Sequence, residues 1–155
     1  VVETKTHLIG IESKRFEPFR DSKTAVFKPP YWREVWGDNM TGYEYLRDRL
    51  HERKLIYKHL DAAQLVKHAF GLRTQGCKRD LKPVLAYIYI ETIGEKPVKI
   101  SQDMIDLHRL EISDFSRRVA NCEVSFIAFS YSEWLASLTG ATFEHAKRVA
   151  DRFNL

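Results

Sequence analysis

Cysteine is scarce: Cys77 and Cys122 are the two in 155 residues. Neither belongs to a CxxC pair or to a Cys/His cluster at zinc spacing, so a zinc-stabilised domain is excluded. Disulfide scaffolds are shorter and richer in cysteine. Both cysteines therefore read as free thiols in a reducing compartment, and a cytoplasmic protein is expected. Long apolar runs are missing too. None approaches the ~20 residues of a membrane span, so no membrane partner is expected, and the opening VVETKTHL does not read as a secretory signal. Internal repeats and low-complexity tracts are absent, which excludes solenoids and biased linkers. An excess of acid is also lacking. The formal net charge is +4 and the pI near 9.1, a tilt towards an acidic partner such as nucleic acid.

What remains is an ordinary globular composition, 44% hydrophobic and 30% charged, in a chain long enough to bury a core as one domain spanning residues 1–155. VVETKTHLIGIESK reads as a β-hairpin: Val1–Thr4 outward, a turn near Lys5-Thr6, and His7–Lys14 returning with Ile9 and Ile11 together on what reads as the buried face. Residues 16–40 read as a long irregular loop with three prolines and an aromatic, basic stretch, AVFKPPYWREVWG. Thr41–Lys54 reads as an exposed, charge-laced helix. Asp61 is a good N-cap for a helix whose apolar stripe is Ala62, Leu65, Val66, Ala69 and Phe70. Gly71 fits its end, with RTQGCKRD as a basic loop beyond.

Val84–Ile90, entered through Pro83, is nearly all apolar and predicts a central strand buried on both faces. IGEKPVK then turns. Ser101 caps a helix with Met104, Ile105, Leu107, Leu110 and Ile112 on its core side. EVSFIAFSY is a further strand, a short helix begins near Ser132, and Thr142 caps a last amphipathic helix. The order of elements predicts a three-layer α/β or α+β domain with a mixed central sheet flanked by helices.

The chemistry concentrates at the end of the hairpin, in IGIESKRFEPF. Glu12 and Lys14 lie two residues apart on a strand, so their side chains leave one face about 7 Å apart. A carboxylate there binds a hard divalent cation, the Ser13 carbonyl offers a further ligand, and the lysine polarises water or stabilises charge on a phosphate. Taken alone, the spacing also describes the wet face of many strands. Downstream, Gln64 and His68 stand four residues apart and share a helix face, and the apolar strand PVLAYIYIE follows that helix.

A hairpin with E-x-K, a helix with Q-x-x-x-[aromatic or His] and then a buried strand resemble the PD-(D/E)xK nuclease superfamily, the restriction-endonuclease-like fold, in its branches with a Q-x-x-x-Y-type helix. The resemblance spans roughly residues 1–92. It implies a divalent-metal-dependent nuclease, with Mg²⁺ or Mn²⁺, that hydrolyses DNA phosphodiester bonds through a metal-activated water. Glu12 would be the acidic metal ligand, with the Ser13 carbonyl beside it, Lys14 the catalytic lysine, and Gln64 the helix residue facing the site. His68 stands where the family often has Tyr.

The family also carries an Asp on the outgoing strand of the hairpin. With a turn at Lys5-Thr6, Glu3 pairs near Leu8, and the residue opposite Glu12 falls about two positions before Val1. The expectation is therefore an N-terminally shortened nuclease domain. Glu17 either joins the acidic cluster or pairs with Arg15 or Arg20. Arg15, Arg73, Lys78 and Arg79 are candidates for phosphate contact. The aromatics around Trp32 and Trp36 either stack on bases or pack the loop down. Oligomeric state stays open, a homodimer included. Two other readings stand beside the nuclease: a catalytically inactive relative that binds nucleic acid or protein, and an interaction domain in which Glu12 and Lys14 are solvent-face residues.

Overall fold

The computed structural model describes residues 1–20, 23–94 and 98–153. Its hairpin pairs β1 (Val2–Glu3) antiparallel with β2 (His7–Lys14), Val2 opposite Ile9 and Glu3 opposite Leu8. This is the register counted from the sequence. Thr4 closes the turn, its hydroxyl accepting from the His7 amide at 2.9 Å. β3 (Lys82–Tyr89) runs parallel to β2 and β4 (Ser125–Ser130) parallel to β3, giving a four-stranded mixed sheet in the order β1-β2-β3-β4. Parallel neighbours need long crossovers. The chain passes from β2 to β3 through α2 (Thr41–His51) and α3 (Ala62–Arg79), and from β3 to β4 through α4 (Gln102–Val119). β3 is central and buried from Leu85 to Tyr89, as its apolar run predicts.

Ile9 and Ile11 do share a face, but it is the open one, and Ile11 is 47% exposed. The inner face of β2 carries Leu8, Gly10 and Glu12, because α3 packs there. Gly10 makes room for it: a Cβ at this position would lie 2.6 Å from Leu72 Cδ1. Alternation fixes a period of two without saying which side is the core.

α2 is shorter than expected and far from fully exposed. Tyr43, Leu46 and Leu50 are buried, and the Tyr43 hydroxyl donates to the Val124 carbonyl at 3.1 Å. α3 begins as predicted, with Asp61 Oδ1 accepting from the Gln64 amide at 3.0 Å and the whole apolar stripe buried. It does not end at Gly71. The helix continues to Arg79, and Asp80 closes it in the left-handed conformation at φ 55°. A glycine costs a helix about 1 kcal/mol, less than the roughly 1.5–3 kcal/mol that burial of Leu72 just beyond Gly71 returns.

α4 also departs from expectation. Ile105 and Ile112 are buried, but Leu107 and Leu110 are exposed, and the inner stripe is completed by His108, Glu111, Phe115 and Val119. Ser101 stands at its N-cap without a side-chain cap bond. α5 (Tyr131–Ala136) starts from a capping box of Ser130 and Glu133. Thr142 closes a 3₁₀ turn, donating to the Thr139 carbonyl at 2.8 Å, rather than capping α6 (Phe143–Phe153). The segment expected to be irregular holds α1 (Glu17–Arg20) and 3₁₀ turns at Pro29–Trp32 and Asp38–Met40. Of the expected turn IGEKPVK, residues 95–97 lie outside the described residues, while Gly94 and Ile100 pair across it. Cys77 and Cys122 are free thiols. No helix among the described residues is long and apolar enough to cross a membrane.

Against the same face of the sheet as α3, His108 is fully buried. It hydrogen-bonds the Tyr87 hydroxyl at 3.0 Å, with Phe19 and Tyr89 edge-on to its ring. Burial disfavours the imidazolium and pushes its pKa down to about 3. The folded protein therefore refuses a proton that the unfolded chain accepts below about pH 6.5, and stability falls as the pH drops from there towards the folded value. Urea midpoints measured down this range should decline with a slope reaching about 1.4 kcal/mol per pH unit from this residue. His108→Gln should flatten that slope; an unchanged slope would remove His108 as its source.

Two glycines make a second test. A Cβ on Gly42 would overlap the Arg118 carbonyl where α2 crosses α4, whereas one on Gly71 meets nothing within 4 Å. Gly42→Ala should destabilise by about 1–3 kcal/mol, and Gly71→Ala should stabilise by about 0.5–1 kcal/mol. Chemical denaturation of the pair checks both signs.

Candidate active site

Glu12 projects from the inner face of β2 towards α3 and is 8% exposed. Its Oε1 lies 2.7 Å from Lys14 Nζ, and its Oε2 lies 2.9 Å from His68 Nδ1. Lys14 Nζ also donates to Gln64 Oε1 at 2.8 Å. The two-residue spacing on a strand and the four-residue spacing on a helix thus deliver four side chains to one point. The view of Glu12 and Lys14 as separate solvent-face residues fails here. Burial alone would raise the Glu12 carboxyl, but hydrogen bonds from His68 and Lys14 and their charges hold it below its ordinary value.

Ser13 points the other way, its hydroxyl 2.5 Å from the Tyr131 hydroxyl of α5. Its carbonyl matters more. The Lys14 carbonyl accepts from the Ile90 amide at 3.1 Å, on the β3 side. Successive strand carbonyls alternate in direction, so that of Ser13 faces the β1 side.

Two hollows flank the cluster. A small cavity of about 40 Å³ is lined by Lys14, Glu17, Lys23, His59, Asp61 and Tyr87. On the His68 side, a groove of about 560 Å³ runs between the hairpin and α3, past Gly10, Gly71, Leu72 and Gln75. Glu17 therefore shares a cavity with Lys14 rather than joining Glu12. It engages Arg15 through the backbone, whose amide donates to Glu17 Oε2 at 2.8 Å. Backbone amides, its own foremost, hold its pKa below the ordinary value.

The expected phosphate contacts are not brought to this point. Arg73 hydrogen-bonds Glu123 at 3.2 Å and the Val35 carbonyl at 3.3 Å, and Arg79 pairs with Glu3 at 2.6 Å. Lys78 is exposed in the last turn of α3. That end of the helix is about 22 Å along the axis from Gln64. Arg15 lies over the Phe16 ring, 4.8 Å from its centroid. The aromatic loop packs down: Trp36 stacks on Phe70 at 4.3 Å, and Trp32 stands edge-on to His51 at 4.8 Å.

Sequence reasoning missed what holds α3 in place. The Glu111 carboxylate accepts the amide of Lys58 and, at 2.8 Å each, those of His59 and Leu60, the residues leading to the Asp61 cap. His59 Nδ1 in turn donates to the Pro18 carbonyl at 3.1 Å, tying α1 to the same anchor. A glutamate that collects amides more than fifty residues away leaves no local pattern. Its signal is only that a helix stripe which should be apolar contains an acid.

The donors fit a divalent cation in kind: a carboxylate, an imidazole and a main-chain carbonyl. Among the described residues no three His, Cys, Asp or Glu side chains converge, so main chain and water must complete the shell.

Glu111→Ala should strand three amides and cost about 3 kcal/mol or more, with Glu111→Gln intermediate; thermal and urea unfolding measure both. Comparison with family models, with curated proteins and with solved structures gave no match to this chain.

Proposed function

We propose that this chain is a divalent-metal-dependent nuclease of the restriction-endonuclease-like fold, acting on DNA. One observation carries the reading: Glu12, Lys14 and Gln64 are joined by contacts of 2.7 and 2.8 Å at the rim of a mixed sheet. Glu12 and the Ser13 carbonyl would hold Mg²⁺ or Mn²⁺. A bound cation supplies Lewis acidity and a readily deprotonated water. Lys14, fixed between Glu12 and Gln64, sets a positive charge where a pentacovalent phosphate gathers negative charge, and does so without reorganising. Gln64 keeps the ammonium from swinging away into solvent. The net +4 charge of the chain favours a polyanionic substrate.

A second reading has its own support, since only two metal-binding side chains converge among the described residues. It is a nuclease-fold domain that binds nucleic acid or protein without cutting. One experiment separates them. Plasmid DNA incubated with the protein and Mg²⁺ or Mn²⁺ should be cleaved, and chelation should stop the reaction. Glu12→Gln and Lys14→Ala should each slow it about a hundredfold or more. DNA binding without cleavage in the wild type would favour the inactive domain; cleavage unaffected by Lys14→Ala would end the proposed mechanism.

A further inference from the structure

We infer that His68 is itself a ligand of the metal, adjacent to Glu12, and that the site selects nitrogen-binding ions such as Mn²⁺ or Co²⁺ over Mg²⁺. The inference rests on the metal site proposed above and adds a ligand to it. His68 Nδ1 and Glu12 Oε2 are 2.9 Å apart. Two donors on neighbouring corners of an octahedron with bonds of about 2.1 Å stand about 3.0 Å apart. The spacing that serves a hydrogen bond in the metal-free protein is therefore already the edge of a coordination shell. On metal binding the Nδ1 proton passes to the other ring nitrogen or to solvent, and the ring turns so that its Nδ1 lone pair points at the ion instead of at the carboxylate oxygen.

The surroundings have the right shape. His68 Nδ1 faces the carboxylate, while its side chain is 43% exposed along the groove between hairpin and α3. Gly71 lines that groove, with nothing within 4 Å of where a Cβ would stand. Bound waters thus have a route from solvent and space to sit. Glu12 Oε1 is taken by Lys14 at 2.7 Å, which directs an incoming ion to Oε2, the oxygen next to the imidazole. The Ser13 carbonyl, facing the β1 side of the strand, is the further donor that the site proposed above would supply. First-row transition ions accept an imidazole nitrogen with affinity that rises from Mn²⁺ through Co²⁺ to Ni²⁺, whereas Mg²⁺ demands oxygen and keeps its water. A carboxylate–imidazole pair therefore discriminates where carboxylates alone discriminate little.

The test needs no substrate. Metal-stripped protein is loaded with Mn²⁺, and electron spin-echo modulation reports whether a nitrogen is bound directly. The wild type should show imidazole nitrogen, and the pattern should change when histidine carries the heavy nitrogen isotope. His68→Gln should abolish it. By calorimetry, His68→Gln should lose about tenfold or more in Mn²⁺ affinity and less than about threefold in Mg²⁺ affinity. Mn²⁺ that binds, is lost in Glu12→Gln and shows no bound nitrogen would overturn the inference and leave the nuclease reading standing. A nitrogen signal that survives His68→Gln would also overturn it. No Mn²⁺ binding at all would bring down both.

Discussion

Glu12 carries a formal charge into the face of the sheet that otherwise holds Leu8, Leu85 and Tyr87. Removing a carboxylate from water costs several kcal/mol unless partners restore what solvent supplied. Lys14 and His68 do this, one on each oxygen, and Gln64 then satisfies the lysine. The four residues form one electrostatic unit in which Glu12 is buried only with the help of the others. A strand end and a helix start are thereby held in mutual register by charge rather than by apolar packing, and Gly10, just before Glu12, lets the helix come close enough for it.

The second constraint supports the first. Helix α3 must begin at a defined residue for Gln64 and His68 to face β2. Asp61 caps it, and Glu111 on α4 captures the three preceding amides. The same carboxylate thus satisfies backbone groups that burial would otherwise leave stranded. His59 extends this anchor to α1, and so to the cavity shared by Glu17 and Lys14. The site's geometry is set by a helix that contributes nothing to its chemistry.

Local pattern made much of this legible. The hairpin register, the Asp61 cap, the stripe of α3 and the central position of β3 all follow from spacing and residue type, and each is as expected. Failures came where polar residues are buried by partners distant in the chain. The inner stripe of α4 contains His108 and Glu111, so counting apolar residues rotated it towards Leu107 and Leu110. On β2 the β-branched, alternating pattern points to Ile9 and Ile11 as the inner pair, whereas Leu8, Gly10 and Glu12 are the buried ones. Gly71 looked like a terminus because tertiary packing beyond it is invisible locally. The Glu12–Lys14–Gln64 grouping was legible through the E-x-K and Q-x-x-x-H spacings together, whereas the part of Glu111 was not legible at all.

The Glu111 clamp also divides the chain into a stretch where length is free and one where it is not. Between His51 and Tyr57, a residue gained or lost changes only the loop from α2, because the same three amides still meet the same carboxylate. Between Asp61 and Gln64 the effect is different. One residue there turns everything after it by about 100° about the helix axis, carrying Gln64 and His68 off the face that meets β2. Evolution can therefore lengthen the approach to this helix without touching its chemistry, but its first turn tolerates substitution far better than it tolerates a change of count.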